Sequence, residues 1–168
     1  MLLAGRSLLW TFLLPGLYAG YLPWRYFGVR EALATIDGVR EWIGVAGFAA
    51  GALLLAACIW EFAVSGRGTL SPVDPTESLV VKGLYRYVRN PMYLSVTLIV
   101  ASQVLLTGSR GLALYWAIWF AATNIFIIAY EEPTMQRKFP VEYAAYTAAV
   151  RRWIPRLTPY RTPLKETE

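Results

Sequence analysis

Long apolar runs, not alternating or one-sided patterns, dominate the chain from Ser7 to Tyr130. A bilayer core about 30 Å thick is crossed by roughly 20 apolar residues of helix, and four segments answer to that: 7–24, 42–64, 92–108 and 111–130. The first, SLLWTFLLPGLYAGYLPW, is uncharged but holds Pro15 and two glycines, which predicts a kinked span. No small-x-small cleavage pattern follows it, since Leu22-Pro23-Trp24 is bulky, so it is read as a helix and not as a leader. The second is rich in small residues, and its Gly44, Gly47 and Gly51 predict a contact face within the monomer, a second copy being the alternative. Only Ser109 and Arg110 separate the third and fourth runs, so these form a tight helical hairpin, with Gln103 and Asn124 expected to hydrogen-bond across it. The expected fold is all-α: one polytopic membrane domain over 1–168 with four spans and a C-terminal amphipathic helix.

Two polar segments break this pattern. Residues 65–91 open on Gly66, Gly68, Pro72 and Pro75 without helical periodicity and close on SLVVKGLYRYVRNPMY, where Tyr85, Tyr87 and Tyr93 alternate with Arg86 and Arg89. Pro91 suits the first residue of the third span. After the fourth span the chain reads EEPTMQRKFPVEYAAYTAAVRRWIP, and Phe139, Tyr143, Tyr146 and Val150 recur every three to four residues, defining one face of a short interfacial helix. Neither internal repeats nor low-complexity segments are visible.

Composition sharpens the class. Of 168 residues 57% are hydrophobic and 16% charged, and the mean hydropathy is +0.41, too little charge to cover a soluble domain. With no histidine, imidazole proton shuttles, serine-histidine triads and most zinc sites are excluded. Cys58, the single cysteine, lies in an apolar run and reads as packing. No metal site is expected, because the few acids lie apart without softer co-ligands. If both termini are cytoplasmic, the inner set of cations is Arg6, Arg67, Lys82, Arg86, Arg89, Arg137, Lys138, Arg151, Arg152, Arg156, Arg161 and Lys165, against an outer set of Arg25, Arg30, Arg40 and Arg110. Twelve against four places both ends in the cytoplasm. The net charge of +5 then reflects topology and anionic headgroups, with no call for nucleic acid. The compact plan fits the inner membrane of a prokaryote.

GLYRYVRNPMY before one span, with EExxM, Phe139, Glu142-Tyr143, Tyr146 and VRRWIP after the next, resembles the integral-membrane methyltransferases, which include isoprenylcysteine carboxyl methyltransferases and phospholipid N-methyltransferases. The resemblance covers Leu79 to Pro155 and rests on both motifs occurring in order around a helical hairpin. It implies S-adenosylmethionine held in a cytoplasmic pocket built from 79–93 and 131–155, with a lipophilic substrate entering from the bilayer. Carried over by position, it implies that the backbone around Val81, Lys82, Gly83 and Tyr85 lines the cofactor, that Arg89, Asn90, Pro91 and Tyr93 stand for an Arg-His-Pro-x-Tyr element, and that Glu131 and Glu132 stand for its glutamate pair. Tyr143 and Tyr146 join the cofactor set. The chain departs from the pattern at Asn90, which hydrogen-bonds but does not titrate, at Pro140 in place of glycine, and at Ile127, where the isoprenylcysteine branch often has arginine. Pro133 disfavours the helical region for Glu132, so the fourth helix is expected to bend or end there.

The side chains suit that chemistry. A cofactor with a cationic sulfur and an amino-acid end calls for carboxylate, aromatic faces and an arginine, which Glu131, Glu132, Tyr85, Tyr93 and Arg89 provide. Methyl transfer is an in-line displacement in which positioning does most of the work. Glu132 is expected near the methyl centre, Tyr93 at the wall of the transfer channel and Arg89 on the cofactor carboxylate. Arg151 and Glu61 are candidates for the substrate, Glu61 with a local pair to Arg67 as its alternative. A carboxylate acceptor needs a cation, for which Arg151 is nearest; an amine acceptor needs a base, for which Glu131 or Glu132 serves. Two other classes stay open: an NADPH-dependent reductase of the sterol-reductase kind, and a non-catalytic membrane protein binding lipid or a partner. Membrane lipids and a lipid-like small molecule are the expected partners, with a monomer or weak homodimer as the assembly.

Overall fold

The computed structural model describes residues 12–65, 79 and 81–161, and among these every regular element is helical. α1 (Phe12–Tyr21) is wound as a wide π-helix that contains Pro15 and leads into α2 (Leu22–Tyr26). After Phe27 and Gly28 a short α3 (Val29–Ala34) crosses to α4 (Val39–Ser65). A single 3₁₀ turn, Gly83–Arg86, precedes α5 (Pro91–Thr107). α6 (Arg110–Phe126), α7 (Glu132–Lys138) and α8 (Pro140–Ala149) complete the described chain. Residues 7–11 of the first expected span and the opening of the 65–91 loop lie outside the described residues.

Among the described residues two helices, Val39–Glu61 with 23 residues and Arg110–Lys138 with 29, are long and apolar enough to cross a membrane, and Pro91–Thr107 is a shorter apolar helix. A rise of about 1.5 Å per residue makes the longer one about 43 Å, against a hydrocarbon core of about 30 Å. Its apolar part ends at Tyr130, and Glu131 opens a polar stretch.

α4 packs along α5 through the small-residue face, within the monomer. A Cβ on Gly44 would stand 2.8 Å from the Ser102 carbonyl oxygen and 2.9 Å from the Leu106 nitrogen, and one on Gly51 would stand 2.8 Å from Ile99 Cγ1. The atoms met at Gly44 are backbone and cannot swing aside. Gly44→Ala is therefore expected to force the helices apart and cost about 1–3 kcal/mol, read as an earlier unfolding midpoint in a denaturing-detergent titration. Val96, Ile99, Val100 and Leu106 of α5 form the core together with Ala19, Val29 and Leu112.

The hairpin follows the sequence expectation. Pro91 is the first residue of α5, Gly108 takes the left-handed conformation (φ +63°) that ends it, and Ser109 Oγ accepts from the Leu112 nitrogen at 3.2 Å to start α6. The expected bond across the hairpin is absent. Gln103 Nε2 instead donates to the Ala19 carbonyl at 2.7 Å, tying α5 to α1, because the amide is fully buried and a buried donor takes whatever acceptor lies against it. Asn124 turns elsewhere, to the C-terminal tail.

The fourth helix neither ends nor breaks at Pro133. Ile127–Glu131 winds as a π turn and α7 continues directly from it, with Glu131 and Glu132 both in helical conformation. Proline lacks an N–H and its ring presses on the carbonyl four residues back, and a locally widened turn relieves both problems without ending the helix.

Candidate functional site

Past the hairpin, two irregular stretches are joined by backbone hydrogen bonds into one layer. Arg89 N donates to Arg151 O at 2.9 Å, Arg156 N to Tyr87 O at 2.8 Å and Tyr160 N to Arg86 O at 2.8 Å. Arg86 Nε adds a bond to Tyr160 O at 2.8 Å. α8 packs onto this layer with the face the sequence predicts: Tyr143, Tyr146 and Val150 are buried against Val81, Phe139 and Tyr160. Tyr146 Oη donates to the Tyr85 carbonyl at 2.6 Å, and its ring meets that of Tyr160 at 5.7 Å.

The tail is also pinned to α6. Trp153 Nε1 donates to Asn124 Oδ1 at 3.0 Å and its ring lies 5.1 Å from that of Phe120. Trp153→Phe keeps the ring contact and deletes the bond, an expected loss of about 0.6–1.7 kcal/mol. Faster trypsin cleavage after Arg151 and Arg152 would register it.

The two glutamates that follow the π turn face different surroundings. Glu132 is neutralised twice. Arg152 grips it with two bonds of 2.8 Å, Nε to Oε1 and Nη2 to Oε2, and Arg89 Nη1 reaches Oε1 at 3.0 Å. The carboxylate and both guanidiniums are mostly buried, 22% exposed for Glu132 against 16% and 28% for Arg89 and Arg152. A bidentate arginine pair with a second arginine behind it is a structural clamp between α7, the α5 approach and the tail. The hydrogen bond to Glu132 holds the Arg152 guanidinium above its ordinary pKa.

Among the described residues no cation forms an ion pair with Glu131. Its Oε2 accepts a hydrogen bond from Tyr93 Oη at 3.1 Å. Tyr85 is close by: burial pushes its phenol up, and the charges of Cys58 and Glu131 add to the rise. Burial likewise pushes the Tyr143 phenol up to about 12, with Glu132 adding to it and Arg89 opposing, and it raises Tyr146 against the pull of Arg89. These phenols all stay protonated near neutrality, so they act as donors and walls and not as bases.

Beside the glutamates, Arg89 Nε and Asn90 Nδ2 are buried with no hydrogen-bond partner among the described residues. A buried donor without an acceptor is costly, and each of these would be satisfied by an acceptor oxygen of a bound group such as the carboxylate of an amino acid. S-adenosylmethionine fits this donor set: acceptor-hungry donors for its carboxylate, a carboxylate without a cation for its positive charge, and aromatic rings around both.

The other expected site residues fall as follows. Pro91 and Tyr93 begin α5 beside Asn90. Val81, Lys82 and Gly83 line a cleft with Arg86, Tyr160 and Arg161. Glu61 stands over the 3₁₀ turn, where a Cβ on Gly83 (φ +49°) would come within 2.6 Å of its carboxyl carbon, so only glycine fits there; Arg67, its alternative partner, lies outside the described residues. Arg151 is exposed and contributes its backbone carbonyl, while Arg152 takes the charged contact. Arg152, Trp153 and Tyr160 are the site-building residues that sequence reasoning passed over, and Asn124 is one to which it gave a different partner. The doubled arginine was visible, but in irregular chain successive side chains point apart, and only the fold says which of two neighbours turns inward.

Among known proteins, no curated protein and no solved structure matches the chain. A family model described as phospholipid methyltransferase matches residues 39–142, from the start of α4 to the first turn of α8. That stretch is more than half of the 168 residues and contains α4, the hairpin, Arg89, Tyr93 and both glutamates. The protein belongs to the phospholipid methyltransferase family.

Proposed function

We propose that the protein transfers a methyl group from S-adenosylmethionine to a lipid-like acceptor at the cytoplasmic face of the membrane, with an amine as the acceptor atom. One observation carries the reading: adjacent glutamates in opposite settings, Glu132 doubly paired with arginine and Glu131 held, among the described residues, by a phenol, next to two buried donors that have no acceptor among those residues. When bound, the cofactor supplies an electrophilic methyl group on a sulfonium. Arg89 Nε and Asn90 Nδ2 receive its carboxylate, and Tyr85, Tyr93 and Tyr143 wall the site. Glu131 accepts the proton of a protonated or reacting amine at a carboxylate oxygen, while Tyr93 Oη holds the other rotational freedom of that carboxylate in check. Ile127, where a carboxylate-binding arginine is missing, favours amine over carboxylate acceptors.

The accompanying topology is four spans with both termini in the cytoplasm of a prokaryotic inner membrane, acting as a monomer on membrane lipid without nucleic acid. Calorimetry on the purified protein tests the cofactor: S-adenosylhomocysteine binds and NADPH does not. Binding of NADPH alone, or of neither, overturns the reading. Incubation with labelled cofactor and a panel of aminophospholipids, prenyl-cysteines and apolar thiols or acids then names the acceptor, with label expected in the aminophospholipid fraction.

A further inference from the structure

The cleft lined by Val81, Lys82, Gly83, Arg86, Tyr160 and Arg161 has a volume of about 360 Å³. Three of its six residues are cations, and among the described residues no carboxylate forms an ion pair with any of them. Glu61 faces the Gly83 backbone at its edge, which leaves the positive charge in excess. Such a cleft is the wrong setting for a sulfonium amino acid, which carries more positive than negative charge, and the right one for a phosphate oxyanion. Its level in the fold points to the source. The Gly83–Arg86 turn touches the end of α4 at Glu61, the last residue of the apolar span Val39–Glu61. The neighbouring Trp60 is 69% exposed, as an aromatic side chain at the headgroup level is.

We propose that this cleft is a headgroup site for an anionic phospholipid, separate from the Glu131–Tyr93 centre, in which Lys82, Arg86 and Arg161 hold the phosphate. The site seats the loop-tail layer on the inner leaflet. Because Tyr160 N and Arg86 Nε make the bonds that dock the tail, lipid bound here steadies the layer that carries Arg152 to Glu132.

The test uses the full chain in neutral detergent, titrated with short-chain phosphatidylglycerol, phosphatidylcholine or inorganic phosphate and read by native mass spectrometry. Phosphatidylglycerol is expected to be retained in preference to the other two. The paired variant Lys82→Gln, Arg161→Gln, which removes no hydrogen bond that docks the tail, should retain it roughly thirtyfold more weakly. A paired Arg25→Gln, Arg30→Gln variant makes the same change of charge elsewhere and should match the parent. Equal retention of phosphatidylcholine, preference for free phosphate, or parental retention by the Lys82/Arg161 variant overturns the proposal. So does loss of S-adenosylhomocysteine affinity in that variant, which would give the cleft to the cofactor. A parent that binds no S-adenosylhomocysteine at all counts against the proposed methyl transfer and leaves the lipid result standing.

Discussion

Glu131→Gln is expected to lower the rate of methyl transfer to an aminophospholipid by about 10²–10⁴ while leaving the affinity for S-adenosylhomocysteine close to that of the parent. The range is what removal of a positioned general base costs. The affinity is spared because the product cofactor has lost the sulfonium charge that a carboxylate would attract. Glutamine keeps the shape of the side chain and can still accept from Tyr93 Oη, which now stands 3.1 Å from Oε2, so the layer around it has no reason to collapse. Tyr93→Phe removes only the bond that orients the carboxylate, and a loss of roughly tenfold follows from a single hydrogen bond to a charged group. Initial rates with labelled cofactor, alongside calorimetry on the same preparations, separate the two effects. A Glu131→Gln protein that methylates at the parental rate removes the proton-accepting role.

Glu132→Gln is expected to act on stability first. It leaves Arg89 and Arg152, both mostly buried, without their shared counter-charge. Breaking a fully buried pair costs about 3–5 kcal/mol, and the partial exposure of all three side chains brings this to about 2–3 kcal/mol. Hydrogen exchange locates the damage. Amides of Arg89, Arg156 and Tyr160, which bond across the loop-tail layer, should exchange faster, and those inside α4 and α5 should not. From sequence alone Glu132 was assigned to the methyl centre, which predicts a variant of unchanged stability and weakened cofactor binding. The two outcomes do not overlap.

What could be read ahead of the structure depended on range. Apolar run length marked the α4, α5 and α6 helices to within a few residues, because a helix in lipid satisfies its backbone internally and little else competes. The glycines of α4 and the Pro91 start of α5 were legible for the same local reason. Bonds between distant irregular segments were not: nothing periodic in RYVRN or RRWIPR announces that Tyr87 O receives Arg156 N. Gln103 and Asn124 show the limit most clearly. Each was recognised as a polar group needing a partner inside a span, yet the nearest polar residue was the wrong one for both, since Ala19 and Trp153 arrive from outside the hairpin. At the site, the residue types were legible and their division of labour was not, because that division is set by the winding of Ile127–Glu131.

That winding has a consequence for chain length. A π turn accommodates one residue more than an α-helix would in the same rise, and successive helical side chains differ in azimuth by about 100°. Deleting a single residue between Ile127 and Tyr130 would draw the chain beyond it back by one position, so that Glu132 would be carried toward where Glu131 now points and Pro133 would follow in the place of Glu132. One codon at this spot thus decides whether any acid stands where Arg89 and Arg152 converge.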